Sequence, residues 1–278
     1  MRIFVISLKG DSRRKEISKH LLGLGINFEF FDAVDGSNLT FHHNRLIDVE
    51  ATFKNMSRGL SDGEYACALS HAFLYKKILF EEIAHSLVLE DDVLTTLDLK
   101  MMIDACVLED SKFDLVMLCY FQAWRKKCSY KSFFNEYRSF RLWNVPFRTA
   151  AYYINNKAAK NLFRTAIPIS AAADWPAGSF DAISTSCVEP QVVSHPKELA
   201  VPSTLSQERE RVIAAFHKIR REAIKKKRSS SLLGKSKITW KLSKHMKKFF
   251  IFCFVPTNRN TKWPLFWLKL FGSLVKGK

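Results

Sequence analysis

Along residues 1–208, short apolar runs alternate with stretches of helical spacing. IFVISL (3–8) reads as a buried strand, and KGDSRRKE after it opens a helical stretch through His20 to Leu24. Within GINFEFFDAVDG (25–36), FEFFDA gives a second strand that ends in acids and a glycine turn. A polar loop follows. In LSDGEYACALSHAFLYKKILFEEIAHS, Ser61 and Glu64 form an S-x-x-E capping box at a helix start. Ala68, Leu69, Ala72, Phe73 and Leu79 then recur at helical spacing, with Lys76 the polar exception. SLVLEDDV (86–93), FDLVMLCYF (113–121) and FRTAAYYIN (147–155) read as strands, and KAAKNLFRTA as the helix after the last. ISTSCVEPQVVSHP adds a short strand and a proline-bounded loop. Strands alternating with helices predict an α/β fold with a mainly parallel central sheet. Ligands of such sheets gather beyond the carboxyl ends of the strands. Glu90–Asp92, Lys9–Arg14 and Asp32–Asp35 are all expected on that rim.

Composition sharpens this picture. With 278 residues, 47% of them hydrophobic, the chain can bury a sizeable core in one domain, or in a domain with an appendage. Cys67, Cys106, Cys119, Cys128, Cys187 and Cys253 are scattered with no CxxC pair. Neither a disulfide framework nor a zinc site is indicated, and a reducing cytoplasm is the default. The apolar N-terminus turns charged too soon for a signal segment, and no apolar run approaches the ~18 residues of a spanning helix. The net charge of +17 is unevenly placed: from Arg209 onward there are 20 Lys and Arg against 2 Asp and Glu. The division expected is therefore a near-neutral body, 1–208, and a basic extension, 209–278.

The chemistry concentrates in SLVLEDDV, where Glu90, Asp91 and Asp92 follow an apolar run. Three adjacent anions repel one another. A hard divalent cation, Mn²⁺ or Mg²⁺, would offset that, with one or two carboxylates and a diphosphate completing its shell. The alternative is a solvated turn carrying a helix-capping Asp, which the apolar flanks on both sides disfavour.

LSDGEYACALSHAFLYKKIL followed by SLVLEDDV resembles the signature region of glycosyltransferase family 25, the bacterial lipooligosaccharide galactosyltransferases and their collagen-modifying relatives. FVISLKGDSRRKE, INFEFFDAVDG, TAAYYINNKAAKNLF and the DWP segment agree in the same order, so the resemblance covers about residues 1–200. It implies a GT-A-like nucleotide-sugar-binding fold. It also implies inverting, metal-assisted transfer of a hexose, usually galactose from UDP-galactose, onto a lipooligosaccharide or lipopolysaccharide acceptor. Asp92 then takes the direct metal role, and Glu90 or Asp91 binds ribose, orients the site or, for Glu90, joins the metal. Arg14 reaches the nucleotide, Asp32 lies near the uridine, and Thr149 sits in a segment approaching donor or acceptor, beside Arg148 where relatives carry Gly. Asp174 is the general base, with Asp181 the second candidate. His71 matches a Ser-His pair, and His195 stands where a late metal ligand is expected, although relatives have Gln near it. Alanines 171–173 would leave room for sugars, and Trp175 is placed to stack on one. Each has a plainer alternative: an exposed first-turn arginine for Arg14, turn or capping aspartates for Asp32 and Asp174, a structural histidine for His71.

In the extension, Ile238, Leu242, Met246, Phe249, Phe250 and Cys253 recur at helical spacing among lysines, and WPLFWLKLFGSLV adds two tryptophans. A basic amphipathic helix with aromatics fits a surface anchor on anionic lipid, which contributes about 1 kcal/mol per Lys or Arg. This predicts a protein peripheral on the inner face of the cytoplasmic membrane, close to a lipid-linked acceptor. The competing arrangement packs the apolar face on the body. Two other functions fit parts of the sequence: a nucleic-acid-binding protein using the basic extension, and a metal-dependent phosphohydrolase. The near-neutral body and aromatic-rich extension argue against nucleic acid. No P-loop, nucleophile triad or Rossmann glycine fingerprint is present.

Overall fold

The computed structural model describes residues 1–176, 178–195, 208–215, 218, 221–222 and the backbone of 254–256. β1 (Arg2–Ser7) leads into α1 (Arg13–Gly23), and β2 (Glu29–Asp32) returns beside it. α2 (Phe41–Asn44), α3 (Val49–Met56) and α4 (Asp62–Phe80) precede β3 (His85–Glu90), the short β4 (Leu94–Thr95) and α5 (Leu97–Asp104). A run of strands follows: β5 (Leu115–Phe121), β6 (Trp124–Lys126), β7 (Lys131–Phe134), β8 (Tyr137–Arg141) and β9 (Phe147–Asn155). α6 (Asn156–Ala166), β10 (Thr185–Glu189), β11 (Val193–Ser194) and β12 (Phe254–Pro256) complete the order.

Eight strands make one sheet in the order β2-β1-β3-β9-β5-β10-β8-β7. Its direction is mainly parallel, as the alternation of elements predicts, but β9 and β8 run against the rest. The reversal of β9 matters most. Because Leu89 pairs with Ala151 and Phe121 with Phe147, the start of β9 lies at the edge where β3 and β5 end. One rim thus collects the carboxyl ends of β1, β2, β3 and β5 together with Arg148 and Thr149.

Period-two alternation sends each strand's side chains to opposite faces, and both faces are covered. On one, Ile3, Val5, Leu87, Leu89, Val116 and Leu118 pack against Ile17 and Leu21 of α1 and Leu99 and Met102 of α5. On the other, Phe4, Val88, Leu115, Met117, Tyr152 and Ile154 meet Leu74, Tyr75 and Ile78 of α4 and Leu162 of α6. Each fully buried Leu or Ile here contributes about 1.5–3 kcal/mol. α4 starts at the expected capping box, Ser61 and Glu64 bonding reciprocally. Its periodicity is blurred because it is buried on several sides, a third cluster forming between Leu69, Ala72, Ala166 and Ile169.

Two stretches differ from expectation. The polar loop before α4 contains α2 and α3, each opened by a side-chain cap from Thr40 or Asp48. Residues 124–141 fold into β6, β7 and β8, of which β8 and β7 extend the sheet past β10 while β6 pairs with β12 in a separate two-stranded sheet. Of the extension, residues 208–215 are helical, and Arg209 pairs with Glu64 of the body at 2.8 Å. The amphipathic helix expected around Ile238–Cys253 lies outside the described residues; just beyond it, the backbone of β12 pairs antiparallel with β6. Among the described residues no helix is long and apolar enough to cross a membrane.

Candidate active site

β3 delivers the three acids to the rim, and the parallel pairing of Ile6 with Glu90 sets the end of β1 beside them. Ser7 Oγ donates to Asp91 Oδ2 at 2.5 Å. From the first turn of α1, Arg13 brings a guanidinium nitrogen 3.1 Å from Asp91 Oδ1 and 4.0 Å from Asp92 Oδ2. The antiparallel pair of β11 with β4, Ser194 opposite Leu94, carries His195 to Asp92, its Nε2 3.0 Å from Oδ2. The other oxygen of Asp92, Oδ1, is buried with no hydrogen-bond partner among the described residues. Glu90 Oε1 accepts from Thr149 Oγ1 at 3.3 Å and lies 3.4 Å from His71 Nε2.

The three acids differ electrostatically. Burial pushes the Asp91 carboxyl up to about 6, although Ser7 and Arg13 both oppose the rise. Asp92 is also raised, first by burial and then by the charge of Glu90, with His195 opposing. Burial acts on Glu90 in the same sense, but His71, Thr149 and His195 outweigh it and hold that carboxyl below the usual range. The trio is short of positive charge. Carboxylate oxygens with one imidazole nitrogen form a donor set suited to Mn²⁺ or Mg²⁺, and the orphaned Oδ1 of Asp92 is one carboxylate oxygen left unengaged among the described residues. Asp92 and His195, 3.0 Å apart, are placed to hold it together, whereas Glu90 falls in the group of three potential ligand atoms that converges within 4.8 Å among the described residues, with Cys67 and His71.

Asp174 stands on the same rim. Its Oδ1 accepts the Arg148 N–H at 2.7 Å, and burial raises its carboxyl, the Glu90 charge adding to the effect. Arg148 has φ 85, in the left-handed region that favours glycine, the residue that the family resemblance leads one to expect there. Arg14 sits deeper than expected: it donates to Ser7 O at 2.7 Å, pairs with Asp32 and lies over the Phe30 ring at 4.6 Å. Arg14 and Asp32 therefore tie the ends of β1 and β2 together, and Arg13 is the arginine that meets the acids. Asp181 lies in the short turn Ser179–Ala182, and its side chain is outside the described residues.

Two expectations are corrected. Trp175 is 5% exposed, packed edge-on between Tyr152 and Phe180 at 5.4 Å from each, so its ring is core and offers no sugar platform. Alanines 171–173 line a narrow recess with His71, Tyr75 and Ile169 that has room for about one water, not a sugar. Small residues there let the chain close against α4. Arg13 was missed in sequence because adjacent helix positions point about 100° apart, and only the packed helix decides which arginine faces the acids; Ser7 was missed because the parallel pairing of β1 with β3 is what sets it beside them.

Residues 1–175 match the family described as glycosyltransferase family 25 (LPS biosynthesis protein). The lipooligosaccharide biosynthesis protein lic2B of Haemophilus influenzae is 37% identical over 94 residues, 33% of each chain. The lacto-N-neotetraose biosynthesis glycosyltransferase LgtE of Neisseria meningitidis serogroup B is 33% identical over 115 residues, 41% of this chain and 40% of that one. Procollagen galactosyltransferase 2 of Homo sapiens is 33% identical over 96 residues, 33% of this chain and 15% of the relative. The chain thus spans less than half the length of each of these relatives. With the family match reaching from β1 to the segment that carries Asp174, the chain belongs to glycosyltransferase family 25.

Proposed function

We propose that this protein is a GT-A-like, metal-assisted, inverting hexosyltransferase that moves a sugar, galactose from UDP-galactose first among candidates, onto a lipid-linked oligosaccharide of the lipooligosaccharide or lipopolysaccharide type. The observation that carries the reading is the gathering of Glu90, Asp91, Asp92, Arg13 and His195 on one rim, with one Asp92 oxygen buried and unpartnered among the described residues. The names of the bacterial relatives support the acceptor class.

Asp92, Glu90 and His195 would hold Mn²⁺ or Mg²⁺, which when bound acts as a Lewis acid toward the diphosphate leaving group. Arg13 adds a second positive charge beside Asp91, available to phosphate oxygens. Thr149 and His71 hold Glu90 ionised and oriented. Asp174, raised by burial, accepts the proton of the acceptor hydroxyl, and the Arg148 N–H fixes which way its carboxylate points. Arg14 and Asp32 keep the β1–β2 edge in register for the nucleoside. On the same reading, residues 209–278 dock on anionic lipid at the inner face of the cytoplasmic membrane, supported by their 20 basic residues and aromatic content.

The test is a panel of UDP-sugars with an oligosaccharide acceptor, with and without Mn²⁺, read as UDP release. One donor, UDP-galactose first, should turn over only with the cation. Turnover that releases sugar phosphate without an acceptor would replace the transferase by a phosphohydrolase.

A further inference from the structure

α4 carries Cys67 and His71 four residues apart, hence on one face of the helix. β3 ends with Glu90 opposite that face, and one ligand atom from each residue lies within 4.8 Å of the other two. The imidazole is already oriented. Its Nδ1 is 2.8 Å from the Tyr152 hydroxyl, which itself donates to Tyr75 at 3.3 Å. On the other side of the ring, Nε2 lies 3.4 Å from Glu90 Oε1. A cation seated between imidazole and carboxylate would take the place of the proton that otherwise joins them. The Cys67 sulfur on the third side selects which cation: thiolate with imidazole and carboxylate is a soft, mixed set that Mg²⁺ avoids and Zn²⁺ favours. Tetrahedral bonds of about 2.0–2.3 Å separate ligand atoms by about 3.5 Å, so closing the set needs shifts of about 1 Å.

We propose that Cys67, His71 and Glu90 form a binding site for a thiophilic divalent cation of the Zn²⁺ class, distinct from the Asp92 site and sharing Glu90 with it. Tyr152 and Tyr75 are its orienting shell, as metal-bound histidines usually have one. On binding, the Cys67 thiol gives its proton to solvent as the sulfur–metal bond forms, and water completes the fourth position. Occupancy draws Glu90 away from Thr149 and so disables the rim. The scattered cysteines gave no sign of this in sequence, because the third ligand arrives from a strand rather than from a second cysteine.

Co²⁺ is the probe, added to the full chain in excess Mg²⁺. The expected result is one equivalent bound with a near-ultraviolet thiolate-to-cobalt band, displaced by Zn²⁺, lost in Cys67→Ser and Cys67→Ala, and kept in Asp92→Asn. X-ray absorption of the Zn²⁺-loaded wild-type chain should show a sulfur neighbour, which holds the proposal to account even if the cysteine variants fold poorly. A band unchanged in Cys67→Ser, or a shell of nitrogen and oxygen alone, overturns it. Turnover in the wild type should be at least tenfold more sensitive to Zn²⁺ than in Cys67→Ser. That last arm rests on the transferase reading, whereas the spectral arm does not, so the two can fail separately.

Discussion

Glu64→Gln removes one negative charge at a side chain only 2% exposed. Arg58 grips that carboxylate with both guanidinium nitrogens, at 2.7 and 2.8 Å, and Arg209 adds a third contact at 2.8 Å. Glutamine fills the same volume and can still accept the Ser61 N–H of the capping box, so the loss is electrostatic. Breaking a buried pair costs about 3–5 kcal/mol. Arg58 is 19% exposed and Arg209 49%, so water screens part of this, and the share of Arg209 is at most about 1 kcal/mol. The expected loss is about 2–4 kcal/mol, which for a chain of this size lowers Tm by about 5–15 °C. The pH dependence gives a second handle. Burial pushes the Glu64 carboxyl up, but Arg58, the Ser61 N–H and Arg209 outweigh it and hold it below its ordinary value. A depressed carboxyl contributes stability that is complete above its unfolded pKa of about 4.3 and is lost as pH falls through the folded value. The gap between wild type and Glu64→Gln should therefore shrink on acidification below about pH 4. Circular dichroism melts across that range read both effects. A variant melting within about 1 °C of wild type at neutral pH, or a gap that is constant with pH, would refute the reasoning.

Three further outcomes follow from the same contacts. Trp175→Ala should cost about 3–5 kcal/mol of stability, seen in denaturant melts, because the ring is core; a selective rise in acceptor KM with unchanged stability would contradict this. Asp174→Asn keeps an acceptor for the Arg148 N–H but not the base, so kcat should fall about 10²–10⁴-fold with donor KM nearly unchanged. Removing residues 216–278 should abolish co-sedimentation with anionic vesicles while sparing turnover of a soluble acceptor, and vesicle binding that survives the deletion would move the lipid contact to the body.

Much of the scaffold was legible because its signals are local. The Ser61–Glu64 box, the apolar strand before Glu90 and the FRTAAYYIN strand each declare themselves within a few residues. β7 and β8 did not, since they are short and interrupted by charges such as Arg138 and Arg141. Strand direction is not local at all: β9 is reversed because β3 and β5 pair with it on either side. The same reversal brings Thr149 to Glu90, a contact across 59 positions that no motif spells out. Trp175 misled for a related reason, as a tryptophan beside an aspartate looks alike whether it lines a cleft or fills a core. The acids were readable because three carboxylates after an apolar run demand an explanation, and His195 was expected near them from the resemblance, whereas the approach of Arg13 required the fold.

On the proposed function, the rim of Glu90, Asp91 and Asp92 takes up a divalent cation together with a nucleotide diphosphate. Electron paramagnetic resonance of Mn²⁺ titrated into the protein, with and without uridine diphosphate, tests it most directly. The account predicts one bound Mn²⁺ whose affinity rises at least tenfold with uridine diphosphate, and whose signal is lost in Asp92→Asn while the variant melts as wild type does. Mn²⁺ binding that ignores the nucleotide, or that is unchanged in Asp92→Asn, would contradict it.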